Sequence, residues 1–137
     1  MMSGPVGSTP LVEKLRLEPG LRCLLVSAPE NFIELLEDLP PGIRFQTRLT
    51  DEYDWAMLFA SGTELLIEII PAVLRSLVED GILWISFIKR SSRKKTDLNR
   101  EILWNIMHSH GYKAVTHVYL DPDWTAMRFR SLELIGK

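Results

Sequence analysis

The sequence predicts an α/β fold in three layers: a mostly parallel sheet of about six strands with an antiparallel terminal hairpin and helices on both faces. Three observations carry this. The apolar runs Arg22–Ser27, Trp55–Ala60 and Ile82–Ile88 have the length and composition of strands covered on both faces. Amphipathic stretches lie between them, clearest over 63–79, where Leu65, Leu66, Ile69, Ile70, Val73, Leu74, Leu77 and Val78 recur in adjacent pairs every four residues. Two last strand-like runs are joined only by Asp121-Pro122-Asp123, a link that suits a hairpin.

The elements follow in order. Residues 1–10 read as a flexible lead and 11–137 as a single domain. A short helix over Leu11–Leu17 stops at Pro19-Gly20, and the first strand follows. Pro29 suits a first helical turn, and Phe32, Leu35, Leu36 and Leu39 share one helical face, so a helix is expected over 29–39, ended by Pro40-Pro41-Gly42. Ile43–Arg48 is a weaker, partly polar strand near an edge, and 55–60 is the third strand. In the helix over 63–79, Pro71 should produce a kink or a split. Gly81 opens the fourth strand, Thr96-Asp97 caps a helix to Ser109, and Gly111 ends it. Tyr112–Leu120 and Trp124–Leu132 are the terminal strands. Right-handed crossovers then give the spatial order 2-1-3-4-6-5.

Composition narrows the class of function. The 137 residues are 46% hydrophobic and 25% charged, as in ordinary globular proteins. No stretch approaches the ~20 apolar residues of a membrane span, and the N-terminus lacks the pattern of a signal peptide. The single cysteine, Cys23, lies mid-strand and reads as a small buried apolar group, so a cytoplasmic location is expected. Charge is uneven: residues 1–88 hold 6 Lys/Arg against 13 Asp/Glu, and the remainder holds 10 against 5. Five of the seven residues from Lys89 to Lys95 (KRSSRKK) are basic. Such an asymmetry can orient a partner or a second copy of the same chain, or is simply a solvated surface.

The run from Leu15 to Ser86, with LRLEPGLRCLLV, DWAMLF and LVEDGILWIS, resembles the class I methyltransferase core, a Rossmann-like fold. Relative to that core, one helix and one strand are missing between Arg48 and Asp54. The segments IKRSSRKKTDLNRE and DWTAMRFR are similar to a group of short bacterial proteins of unknown function with a methyltransferase-like sheet. The resemblance implies S-adenosylmethionine held by a glycine-rich loop after the first strand and by an acid ending the second. This chain departs at both places. Its loop is Ser27-Ala28-Pro29-Glu30, where Pro29 removes a backbone donor, and its second strand ends at Thr47-Arg48-Leu49-Thr50. Asp51 or Glu52 supplies the acid only after a register shift. No cofactor is therefore expected, with S-adenosylmethionine retained as the alternative.

Ligands of parallel sheets sit beyond the carboxyl ends of the strands. That edge should gather Ser27 and Glu30, Ser61-Gly62, the basic loop (Lys89, Arg90, Ser91, Ser92, Arg93) with Thr96 and Asp97, and Trp124 after the turn. A helix N-terminus beside the basic loop adds donors for an anion. Trp124, Arg128 and Arg130 share one face of the last strand. Trp124 reads as a cleft wall or a core residue, and Arg128 as one half of a structural ion pair with an acid on a covering helix.

Other schemes find little. His108 and His110 point to different helix faces, so they cannot readily share a metal, and Ser27 has no glycine-flanked elbow. The basic loop interleaves serines rather than aromatics, which reads against nucleic acid. Two classes stay open: a non-catalytic binding or interaction protein, whose partner is an anionic small molecule or another protein, and a divergent S-adenosylmethionine-dependent methyltransferase.

Overall fold

The computed structural model describes residues 10–49 and 52–134. The elements are α1 (Leu11–Lys14), β1 (Arg22–Val26), β2 (Arg44–Gln46), β3 (Tyr53–Ala60), α2 (Thr63–Ser76), β4 (Leu77–Ile88), α3 (Arg100–Ser109), β5 (Tyr112–Tyr119) and β6 (Trp124–Ser131). They form one sheet in the order β2-β1-β3-β4-β6-β5. The first four strands run parallel, and β6 enters antiparallel between β4 and β5. Order and hairpin are those the sequence predicts. Among the described residues no helix is long and apolar enough to cross a membrane.

Strand alternation sorts the apolar side chains into two cores. One holds Leu24, Ala56, Leu58, Leu83, Ile85, Met127 and Phe129 under α2 and α3. The other holds Cys23, Leu25, Trp55, Met57, Phe59, Trp84 and Trp124 under α1 and the segment after β1. The second cover is thin, and one carbonyl does much of the joining. The Trp55 and Trp84 indoles, on adjacent strands, both donate to the Leu15 carbonyl at 2.8 and 3.0 Å. Leu15 is fully buried at the C-terminal cap of α1, so a helix-end acceptor without an intrahelical partner is satisfied inside the core.

Several boundaries differ from expectation for physical reasons. The helix over 29–39 is a single 3-10 turn, Ile33–Leu35. Leu36 is extended (ψ 102°) and Asp38 is left-handed (φ 58°), yet Phe32 and Leu36 still reach the core. One turn buries the same two anchors that a full helix would. The leading helix stops at Lys14, because Arg16 takes a left-handed conformation (φ 61°). Pro71 does not split α2; the carbonyl it frees belongs to Ile67, an exposed residue open to water. β3 begins two residues early, at Tyr53. β4 begins at Leu77 rather than Gly81: Tyr53 pairs with Leu77 and Trp55 with Ile82, so the chain bulges over 78–81. Asp80 is left-handed there (φ 56°), and a Cβ on Gly81 would stand 3.0 Å from Leu77 Cδ2 and 3.1 Å from the Val78 carbonyl oxygen. On the outer strand β5 a second bulge, at Val115, interrupts the ladder and blunts an edge open to pairing.

Candidate functional site

The carboxyl ends of the strands are brought together by register. Val26 lies level with Leu58, Ala60 with Phe87, and Ile88 with Trp124. The loops after β1, β3 and β4 and the β5–β6 turn therefore share one edge. Ser27 and Glu30 are exposed there, and Ser27 is left-handed at φ 58°. Beneath them Phe32, 1% exposed, meets Phe59 edge-on at 5.0 Å, and Phe59 meets Trp124 in the same way at 5.0 Å. Trp124 is 8% exposed and belongs to this aromatic core, which settles its placement as core rather than open cleft wall.

The loop from Lys89 to Asn99 is a strap tied at both ends. At the hairpin end, Lys89 donates its N–H to the Asp123 carbonyl (2.7 Å) and its Nζ to the Asp121 carbonyl (3.2 Å), with Nζ 4.8 Å over the Tyr119 ring. Ser92 Oγ donates to the Asp123 carboxylate at 2.7 Å and accepts from Lys94 N. Lys94 Nζ stands 3.8 Å from the same carboxylate. The Asp121 carboxylate in turn accepts from the N–H groups of Asp123 and Trp124 at 2.8 and 2.7 Å, fixing the anchor.

At the other end, Thr96 Oγ1 donates to the Ser61 carbonyl (2.8 Å) and accepts from Leu98 N. Asp97 Oδ1 accepts from Thr63 N at 2.8 Å. The cap of α2 is Gly62, which has no side chain to offer, so Asp97 supplies a carboxylate to that helix from 34 residues away. A Cβ on Gly62 would stand 3.2 Å from Asp97 Oδ1.

This corrects the capping expectation. Thr96-Asp97 do not cap α3; Asn99 does, its side chain accepting from Ile102 N at 2.8 Å. The basic loop thus runs past the N-terminus of α2, where a carboxylate already sits. Of its five cations, Lys89 and Lys94 have protein partners. Arg90, Arg93 and Lys95 are exposed and make no hydrogen bond or ion pair among the described residues; Ser91 is also exposed.

The edge does not suit the manner of holding S-adenosylmethionine that the resemblance implies. Pro29 has no N–H, and its carbonyl accepts from Phe32 N at 3.1 Å to close a tight turn. β2 ends at Gln46, level with Leu24 and short of the strand-end edge. Glu52 directly precedes β3, at the opposite end of the sheet, so it cannot serve as the ribose acid; Asp51 lies outside the described residues. Among the described residues no group of three His, Cys, Asp or Glu side chains is placed to hold a metal.

Two placements were not legible as chemistry. Arg128 has no acid partner among the described residues. Asp80, in the bulge near the start of β4, instead takes Arg130 in a fork at 2.9 and 2.8 Å, and the turn after α1 brings the cation Arg16 within electrostatic reach of Arg128. On the α3 side of the hairpin, a groove of about 260 Å³ is lined by Arg100, Ala114, Val115, Thr116, His117 and Met127. His117 there contacts Arg100 (3.2 Å) and Thr125 Oγ1 (2.5 Å), and burial together with the Arg100 charge holds its pKa below the usual histidine range.

The sequence matches no protein-family model and no curated protein. Solved structures do match. A precorrin-6y C5,15-methyltransferase from Geobacter metallireducens superposes with a TM-score of 0.57 at 13% identity, over 88% of this chain and 84% of that one. Magnesium protoporphyrin IX methyltransferase from Synechocystis, solved with bound SAH, gives 0.56 at 12%, over 88% and 78%. The [4+2]-cyclase SpnF gives 0.55 at 12%, over the same shares. At these identities the likeness is one of fold. The chain has the Rossmann-like, methyltransferase-like fold.

Proposed function

We propose that the chain is a binding protein built on a methyltransferase-like sheet, taking a small anionic ligand at the strand-end edge through Arg90, Arg93 and Lys95. The supporting observation is the strap itself. A solvated charge run needs no anchors, whereas this one is fixed to Asp121, Asp123, Ser61 and Thr63, leaving three cations without a partner among the described residues on a held backbone. Ordering entropy is thereby spent before a ligand arrives.

The test is a titration with inorganic tripolyphosphate. Binding should fall steeply with salt, since exposed charges are screened within ~8–10 Å at physiological ionic strength. The triple variant R90Q/R93Q/K95Q should lose binding and keep its melting temperature. Unchanged binding in that variant discards the reading.

A second reading is a divergent S-adenosylmethionine-dependent methyltransferase. Its support is the fold of its structural neighbours, methyltransferases among them, and the left-handed backbone at Ser27, a conformation glycine usually supplies in such loops. Fold likeness weighs toward this enzyme, while Pro29 and the short β2 weigh against its usual cofactor contacts. Calorimetry with S-adenosylmethionine separates the two: low-micromolar affinity selects the enzyme.

A further inference from the structure

The end of the sheet opposite the strap carries a second concentration of positive charge, built by different elements. Because β6 runs antiparallel to β4, its last residues lie at the end where the parallel strands begin. Arg128 and Arg130 are two apart on β6, side chains on one face and ~7 Å apart along the strand. Lys113 of β5 stands directly opposite Arg130, and Thr116 opposite Arg128. From above comes Arg16, at the end of α1.

The arginines are not equivalent. Arg130 is held by Asp80 in a two-point fork. Arg128 is half-buried beside Trp84, its Nε is shielded from solvent, and that N–H finds no acceptor among the described residues. A guanidinium presents five donors in one plane, and leaving a buried one unmade is costly. Its electrostatic surroundings worsen the case: burial and the charges of Arg16 and Arg130 depress the Arg128 pKa, while Asp80 only partly offsets them. Arg16 is itself held at φ 61°, the left-handed position after a helix where glycine is favoured. The fold thus tolerates backbone strain, an unsatisfied donor and like-charge repulsion at one place. An oxyanion among these groups relieves the repulsion.

We propose that Arg16, Arg128 and Arg130 form a binding site for the phosphoryl group of a small phosphorylated ligand. Charge selects phosphoryl over carboxylate. Three arginines and Lys113, less Asp80, leave three positive charges, of which a phosphate monoester, at about −1.5 to −2 near neutral pH, neutralises more than half and a carboxylate only a third. The paired terminal Nη donors of Arg128 also suit two oxygens of one phosphate. This site is separate from the strap and stands whether or not the strap binds anything.

The probe is inorganic phosphate, read as melting temperature at fixed ionic strength and pH 7.5. A ligand that binds only the folded state raises the melting temperature as it saturates, so ~20 mM phosphate should give a rise of a few degrees over matched chloride. In R128M the response should vanish, while the phosphate-free melting temperature stays equal to or above that of the wild type, because an unpaired buried charge is gone. R16Q changes an exposed side chain and should weaken the response several-fold without loss of fold. The strap variant R90Q/R93Q/K95Q should keep the full response. A flat wild-type response overturns the proposal, as does an undiminished response in R128M or R16Q, or a response lost with the strap cations. Glycerol phosphate should act at least as well as free phosphate; tighter binding of a single-stranded oligonucleotide overturns the assignment to a small ligand.

Discussion

Replacing Asp97 by alanine removes the carboxylate that completes α2 from outside the helix. Thr63 N donates to it at 2.8 Å, and the glycine at the cap cannot take its place. Loss of a capping acceptor costs about 1 kcal/mol, and loss of negative charge at a helix start about 0.5 kcal/mol more. For a chain of this size, that total lowers the melting temperature by roughly 3–6 °C. Asparagine retains the acceptor oxygen and should recover most of the capping part. The assay is thermal or urea unfolding of D97A, D97N and wild type, with amide exchange followed over 63–66. Exchange there should quicken in D97A as the first turn frays. Equal stabilities of D97A and wild type, with unchanged exchange over 63–66, would refute the claim that the strap caps α2.

Removing the paired indole donors tests the core join. W55F and W84F each forfeit one hydrogen bond to the Leu15 carbonyl, costing about 1 kcal/mol plus the lost packing. The double variant leaves that buried acceptor empty and should cost at least ~1 kcal/mol more than the sum, measured by urea unfolding. Acid stability follows from two carboxyls held below their usual pKa by arginine hydrogen bonds, Asp54 by Arg22 and Asp80 by Arg130. Their contribution is present above about pH 4 and is lost as pH falls through the lowered folded values. D54N/D80N should therefore flatten the fall in melting temperature below pH 4; an unchanged acid slope contradicts it. Burial pushes the Cys23 thiol up to about 12. It should resist iodoacetamide at pH 8 in native protein and react fully in denaturant, by mass spectrometry.

What the sequence reveals is what repeats locally. The runs DWAMLFA and ILWISFI are covered on both faces and can be little else than central strands, and crossover handedness then orders the sheet. Local periodicity misleads where two conformations bury the same residues. Phe32 and Leu36 reach the core through a single turn, so helical spacing over 29–39 carries no helix. Nor can local reading find partners set by the tertiary fold. Thr96-Asp97 have the residue types of a cap, but serve the start of a helix earlier in the chain. The acceptor for Trp55 and Trp84 is a backbone carbonyl far away in sequence. The strap residues were visible as a basic run, whereas their anchors at Asp121 and Asp123 became meaningful only once the hairpin was placed. Arg128 is expected to pair with an acid on a covering helix, but the nearby acid, Asp80, lies in the bulge near the start of β4 and takes Arg130 instead.

Amide chemical shifts recorded during separate titrations with tripolyphosphate and S-adenosylmethionine test the central claim most directly, because they locate whatever binds. The held cationic strap predicts that tripolyphosphate moves resonances over residues 89–98 and that these shifts disappear in R90Q/R93Q/K95Q. It predicts no saturable response to S-adenosylmethionine at micromolar concentrations. Low-micromolar binding of S-adenosylmethionine, with shifts centred on Ser27–Glu30 and a silent strap, would contradict it.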